Sequence, residues 1–196
     1  RRIPCDVLTL DARATWNTST RFDFVWDAER YPDPAAALAA IKAHRLRVCV
    51  AESPYVSVHS PLFQEMAQRG FLLANDDGSA AIFAWHLDPA ATAFGGAMTP
   101  LAESGIVDFT NPAAFDFWRD AHAALFEVGV DVVKSAFGEH VPDDAVAHNG
   151  DRGRRLHNVY PLLYNRCVCE ATAKFQPQGE APPTVWSRAG WAGSQR

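Results

Sequence analysis

Five charged residues stand where apolar stretches meet polar sequence. Asp11 follows 5–10 (CDVLTL), Glu52 follows 46–50 (LRVCV), and Lys134 lies within 130–135 (VDVVKS); Glu139 follows Phe137-Gly138 in a turn, and Arg188 follows 184–187 (TVWS). A polar group at the C-terminal end of a buried parallel strand faces the side where α/β proteins bind ligands. A carboxylate there can accept hydroxyl hydrogen bonds, move a proton or attack an electrophilic carbon. Asp11 is read in this way, against the alternative of a loop-capping Asp. Lys134 is costly in an apolar strand unless paired, so it either faces the pocket or forms an ion pair with Asp131 or Glu139. Glu139 suits catalysis and turn structure equally. Arg188 fits a bidentate clamp on a hydroxyl or carboxylate, or a salt bridge at the strand ends.

Other chemistries find less support. The seven histidines, at 44, 59, 86, 122, 140, 148 and 157, show neither H-x-H nor H-E-x-x-H spacing, so no metal site and no metal-dependent hydrolase is expected. Cys167 and Cys169 would point apart on a helix, and four cysteines in 196 residues make no disulfide scaffold. Ser135 and Ser187 lack a G-x-S-x-G elbow. Aromatic residues crowd the first long loop (Trp16, Phe22, Phe24, Trp26) and recur at Trp85, Phe137, Trp186 and Trp191. Flat rings near carboxylates suit sugar faces, although each ring alone fits core packing as well.

The elements that must position these groups alternate along the chain. After the strand at 5–10 and a loop from Arg13 to Tyr31, Asp33 and Pro34 open a helix over AAALAAIKAH as cap and first turn. A second strand at 46–50 precedes a helix from Ser60-Pro61 to Gln68, closed by Gly70. Residues 71–73 and 81–85 flank Asn75-Asp76-Asp77-Gly78-Ser79 as a hairpin. An excursion from Asp88 to Gly105 leads to a short strand at 106–109. One amphipathic helix is expected from Asn111-Pro112 to about Glu127, then the strand at 130–135, a helix over about 152–174 and the strand at 184–187. No G-x-G-x-x-G or phosphate-binding loop follows the first strand. A (β/α)₈ barrel is therefore preferred to a doubly wound sheet.

Four strands are half of a barrel, so the chain, residues 1–196, is expected to be a segment of one catalytic domain cut at both ends; completion by another chain is the alternative. Eighteen basic and twenty-three acidic residues give a net charge of −5 with no basic block, which excludes a typical nucleic-acid surface. No apolar run approaches a membrane span, nothing at the N-terminus reads as a signal peptide, and a cytoplasmic location is expected.

At 134–139 the sequence reads K-S-A-F-G-E. Together with 3–11 (IPCDVLTLD), 22–33 (FDFVWDAERYPD), 53–63 (SPYVSVHSPLF), 105–112 (GIVDFTNP), 156–165 (LHNVYPLLYN) and 187–195 (SRAGWAGSQ), it resembles the catalytic barrel of glycoside hydrolase family 31. The likeness is closest to the bacterial branch that includes α-xylosidases, and it covers almost the whole chain in order. The resemblance implies a retaining α-glycosidase needing no cofactor, with two carboxyl groups about 5–5.5 Å apart and the four strands as the second to fifth of eight. It places the nucleophile, an Asp in K-[ST]-D-F-G-E, at position 136. Asp11 falls where a carboxylate binds sugar hydroxyls, Lys134 and Arg188 match residues lining the sugar subsite, and Trp16 and Phe137 fall where aromatic walls are expected. Glu52 and Glu139 would support these residues from behind. An α-linked oligosaccharide or glycoside is the implied partner, with the rest of the barrel and a possible second copy of the chain; sulfonated or larger sugars also fit.

Three departures from that pattern carry consequences. Ala136 occupies the nucleophile position, and a methyl group forms no glycosyl ester. The acid/base Asp is expected shortly after Gln195, beyond Arg196. Ala51 stands where a bulky aromatic is common. Ala136 is either an engineered knockout of an enzyme or natural drift to a non-catalytic sugar-binding barrel. In both cases this chain is expected not to hydrolyse glycosides.

Overall fold

Three helices start where an oxygen-bearing side chain precedes proline. In the computed structural model, which describes residues 4–17, 19–84, 102–176 and 183–194, Asp33 accepts the Ala36 N–H (2.9 Å), Ser60 that of Leu62 (3.1 Å) and Asn111 that of Ala113 (3.0 Å). Each bond satisfies one of the free donors at a helix start, and each following proline has no N–H to leave unpaired. Asp33→Ala is expected to cost about 1 kcal/mol of unfolding free energy in a urea titration; no change would mean that the cap adds nothing here.

The described elements run β1 (Val7–Leu10), α1 (Ala12–Thr15), α2 (Pro34–Lys42), β2 (Arg47–Glu52), β3 (Tyr55–Ser57), α3 (Pro61–Gln68), β4 (Ile82–Phe83), β5 (Ser104–Ile106), α4 (Pro112–Ala121), α5 (Ala123–Glu127), β6 (Val132–Ser135), α6 (Gly153–Leu156), α7 (Tyr160–Phe175) and β7 (Val185–Ser187). Strands β1, β2, β6 and β7 form a parallel sheet in that order. The order follows the chain without reversal. A doubly wound sheet would reverse at a switch point, so this is a sector of a singly wound (β/α)₈ barrel. The other three strands form a small antiparallel sheet, β3-β5-β4, built from the excursion between β2 and α4.

Strand pairing separates two faces. Leu10, Val50, Val133 and Val185 share one row. Val50 and Val133 are wholly buried there, in one cluster with Leu38, Trp118 and Leu125 from the helices. Thr9, Cys49 and Val132 lie on the opposite face, as do Ala51, Lys134 and Trp186. Side chains alternate along strands, so one face is the helix-packed core and the other lines the barrel interior. At the sheet edges Val7, Leu8 and Trp186 keep 38%, 39% and 56% of their surface exposed. A barrel removes such edges by pairing them with further strands.

Four expectations need correction. The helix expected from Asn111 to Glu127 breaks at His122, because the His122 ring Nδ1 lies 2.7 Å from the Trp118 carbonyl that the helix would use; the His122 N–H turns to Arg119 instead (3.3 Å). The helix expected over 152–174 is two, α6 and α7, and Pro161 in the first turn of α7 sets the second start. The strand expected at 106–109 runs Ser104–Ile106. It gives way at Asp108, whose Oδ1 accepts both the N–H (2.9 Å) and the hydroxyl (2.6 Å) of Thr110, a turn device that competes with the ladder. Strand β3 and the short helix α1, the latter within the expected loop, were not legible. The Asn75–Ser79 turn forms as expected, with Asn75 N–H on the Ser79 carbonyl at 2.7 Å. Trp85, His86, most of the excursion after Asp88, and residues 1–3 and 195 lie outside the described residues.

Candidate active site

Pairing registers bring the sequence candidates onto one surface. Lys134 is paired with Ala51 on one side and Trp186 on the other, and its Nζ lies 5.7 Å from the Trp186 ring centroid. Asp11 follows Leu10, the partner of Val50, so the chain continues with Asp11 beside Ala51. Asp11 is exposed, its side chain caps no helix, and its carbonyl accepts the Thr15 hydroxyl at 3.0 Å. Capping therefore does not explain its carboxylate.

The ion-pair alternative for Lys134 is not what forms. Asp131 pairs with Lys42 (2.9 Å) and accepts the Val48 N–H (2.8 Å), while Glu139 pairs with Arg188. Lys134 is left on the barrel-facing row.

Position 136 is the first residue beyond β6, two positions after Lys134. The Ala136 N–H donates to the Glu52 carbonyl at 2.9 Å, and the residue is 8% exposed. The next two residues take positive φ, Phe137 at 62° and Gly138 at 94°. A bulky residue in that region costs about 1–2 kcal/mol, and the turn brings the Phe137 ring back over the strand ends. There the Arg188 guanidinium carbon sits 4.3 Å from the Phe137 centroid. Arg188 Nε lies 2.6 Å from Glu139 Oε1, and the Arg188 N–H donates to the Ser135 carbonyl at 3.1 Å. The salt-bridge reading of Arg188 and the turn reading of Glu139 thus both describe what the structure contains, at the same strand ends as Ala136. Gly138→Ala is expected to destabilise by at least 1 kcal/mol, since its φ disfavours a Cβ that would also meet Tyr164 Cδ1 at 3.2 Å. A melting temperature equal to the parent's would contradict that expectation.

Two candidates sit elsewhere. Trp16 is wholly buried, packs edge-on against Phe22 (5.1 Å) and donates Nε1–H to the Ala51 carbonyl at 2.7 Å. A ring with no accessible surface is no sugar wall, so the expectation for Trp16 is corrected: it is core, bracing β2 from behind. Glu52 points to the helix side. Its Oε2 lies 2.9 Å from His122 Nε2, with both side chains fully buried. It reaches position 136 only through its own carbonyl.

That buried pair was invisible to spacing arguments. His122 Nδ1, 2.7 Å from the Trp118 carbonyl, and Nε2, facing a carboxylate, both call for a proton. Burial alone would push the imidazolium pKa down, but the Glu52 charge and contact, with the Trp118 and Arg119 carbonyls, hold it above its ordinary value. Burial, reinforced by Glu52, also pushes the Tyr164 phenol well up. Among the described residues no cluster of three His, Cys, Asp or Glu side chains is placed to hold a metal ion.

A singly wound parallel sheet with a polar row at its C-terminal strand ends defines a sector of a (β/α)₈ barrel whose ligand face lies there. The match to known sequences is more specific. Residues 1–196 match the glycosyl hydrolases family 31 TIM-barrel domain, and the chain belongs to that family. It is 35% identical over 181 residues to the α-xylosidase XylQ of Lactiplantibacillus pentosus, covering 91% of this chain and 22% of that protein. It is 32% identical over 198 residues to an α-xylosidase of Emericella nidulans, covering 100% of this chain and 23% of the relative. A family 31 dextranase of Flavobacterium johnsoniae shares the fold with a TM-score of 0.81 at 24% identity, over 98% of this chain and 23% of that one. The chain thus spans less than a quarter of each of these three proteins.

Proposed function

We propose that this chain is part of the catalytic barrel of a retaining α-glycosidase acting on α-xylosides or α-glucosides, with Ala136 at the nucleophile position. The placement of Ala136 carries the reading: it follows the last residue of β6, two positions after Lys134, its N–H anchored to the Glu52 carbonyl. In a retaining reaction a carboxylate at this position attacks the anomeric carbon as the glycosidic C–O bond breaks. A proton from a second carboxyl group goes to the departing oxygen, and water then releases the sugar from the ester. Asp11 would accept sugar hydroxyls, Lys134 and Arg188 would donate to them, and Phe137 would cover a ring face. A methyl group supplies no attacking oxygen, so the chain with Ala136 binds sugar without cleaving it.

Ala136 itself, with Ala51 in the neighbouring strand, favours one second reading: a non-catalytic carbohydrate-binding barrel of the same family. A rate assay beside calorimetry separates the two, in a chain carrying the remaining strands. The enzyme reading expects Ala136→Asp to turn over an aryl α-xyloside or α-glucoside. The binding reading expects sugar affinity and no turnover after the same change.

A further inference from the structure

One amide on α7 joins the two strand ends that carry position 136 and Arg188. Asn165 is half-buried, and its Nδ2 donates to the Ala189 carbonyl at 2.7 Å. On its other side the hydroxyl of buried Ser135 donates to Asn165 Oδ1 at 2.8 Å. Ser135 and Ser187 are paired across β6 and β7, with their hydroxyl oxygens 3.1 Å apart. Ser135 immediately precedes position 136, and Ala189 immediately follows Arg188. A single side chain thus holds a neighbour of each.

The proton directions in this set are fixed by chemistry. A carbonyl only accepts, so the amide must turn Nδ2 to Ala189 and Oδ1 to Ser135. The Ser135 hydroxyl gives its one proton to Oδ1, and Ser187 gives its own to the Ser135 oxygen. A half-buried amide is costly unless both ends are paired, and here both are.

Arg188 depends on such a hold. Its ion pair with Glu139 leaves the two side chains 46% and 32% exposed, and a pair that open to water orients them weakly. Strand β7 is only three residues long and lies at the sheet edge, so few ladder bonds fix its end. Two contacts do: the Arg188 N–H on the Ser135 carbonyl at 3.1 Å, and the Asn165 amide on the Ala189 carbonyl. The first runs directly to the residue before position 136, and the second reaches it through Asn165. Ser135 is registered with Glu52 on the helix side of the sheet, so Asn165 acts from behind the strands.

We infer that Asn165 is a positioning residue, which sets where Arg188 stands relative to position 136 and so how the guanidinium meets a sugar hydroxyl. The inference rests on the sugar-binding barrel reading, in which Arg188 donates to the sugar.

Calorimetry with xylose and glucose tests it in the Ala136 protein carrying the remaining strands. Asn165→Asp keeps the acceptor for Ser135 but turns an oxygen towards the Ala189 carbonyl. It is expected to weaken sugar binding about five- to tenfold, and by under about twofold once Arg188→Ala has removed the group it positions. Ser135→Ala, a smaller change that serves should Asn165→Asp not fold, is expected to follow the same pattern. It weakens binding with Arg188 present and has little effect beside Arg188→Ala. An equal fold-loss with and without Arg188 would make Asn165 a strut of the fold and overturn the inference. Unchanged sugar affinity in Asn165→Asp would overturn it as well. Binding of neither sugar by the parent would overturn the sugar-binding barrel reading itself and the inference with it.

Discussion

Restoring a carboxylate by Ala136→Asp, in a chain carrying the remaining strands, is expected to raise kcat on an aryl α-glycoside by roughly 10⁴–10⁶-fold over the Ala136 protein. A factor of 10⁴ corresponds to about 5.5 kcal/mol of barrier. The effect is large because the nucleophile divides one displacement into two easier ones, and the surrounding residues cannot substitute for it. Lys134 and Arg188 are cationic, and Asp11 lies at the end of a different strand, β1. The loop that would aim the new carboxylate is already built: the Glu52 carbonyl holds the residue 136 N–H, and the Phe137-Gly138 turn is closed by Arg188 on Glu139. The substitution adds one carboxyl group at a strand end whose backbone contacts are already in place, so a folded but inert protein would speak for the binding-barrel reading.

Glu52→Leu is expected to cost about 3–5 kcal/mol of stability, because it strands a buried imidazolium. His122 and Glu52 join the end of β2 to the break between α4 and α5, and neither side chain reaches water. Replacing both, with Glu52→Leu and His122→Leu, is expected to recover much of the loss, since an apolar pair incurs no charge desolvation. The pair also sets a pH dependence. The folded pKa of His122 is raised above its unfolded value of about 6.5, so its stabilisation is fully present below that pH. It declines as pH rises through the folded value, where the imidazole loses its proton and with it the attraction to the Glu52 carboxylate. Urea midpoints measured from pH 6 to 9 are expected to fall in the parent and to fall less in the double variant. Parallel curves would place the titration elsewhere.

Much of the barrel is legible along the chain because its signals are local. Runs such as LRVCV and VDVVKS are buried from both sides in a parallel sheet, and the Asp33, Ser60 and Asn111 caps each act within three residues. The placement of Lys134 on the barrel-facing side follows from strand periodicity once the strands are known. What escaped depends on distant partners. Trp16 resembles a wall residue until Phe22, Trp26 and the Ala51 carbonyl enclose it. His122 looks like an ordinary helical residue until Glu52 arrives from another strand, and the ring then takes the carbonyl that would have continued the helix. Asn165 finds its partners in Ser135, 30 residues earlier, and Ala189, 24 residues later, and no spacing rule reaches that far. The Ala136 methyl is exposed by the family resemblance and by nothing local, since alanine after a buried strand is otherwise unremarked.

The central claim, that position 136 is the nucleophile site of a retaining α-glycosidase, meets its most direct test in mass spectrometry. The Ala136→Asp protein, carrying the remaining strands, is incubated with an activated fluorinated α-glycosyl donor whose glycosyl ester hydrolyses slowly. The expected result is a mass gain of one glycosyl group on the peptide spanning 132–139, absent from the Ala136 protein. Turnover of α-glycosides with the adduct on another residue, or with inverted product and no adduct, would contradict it.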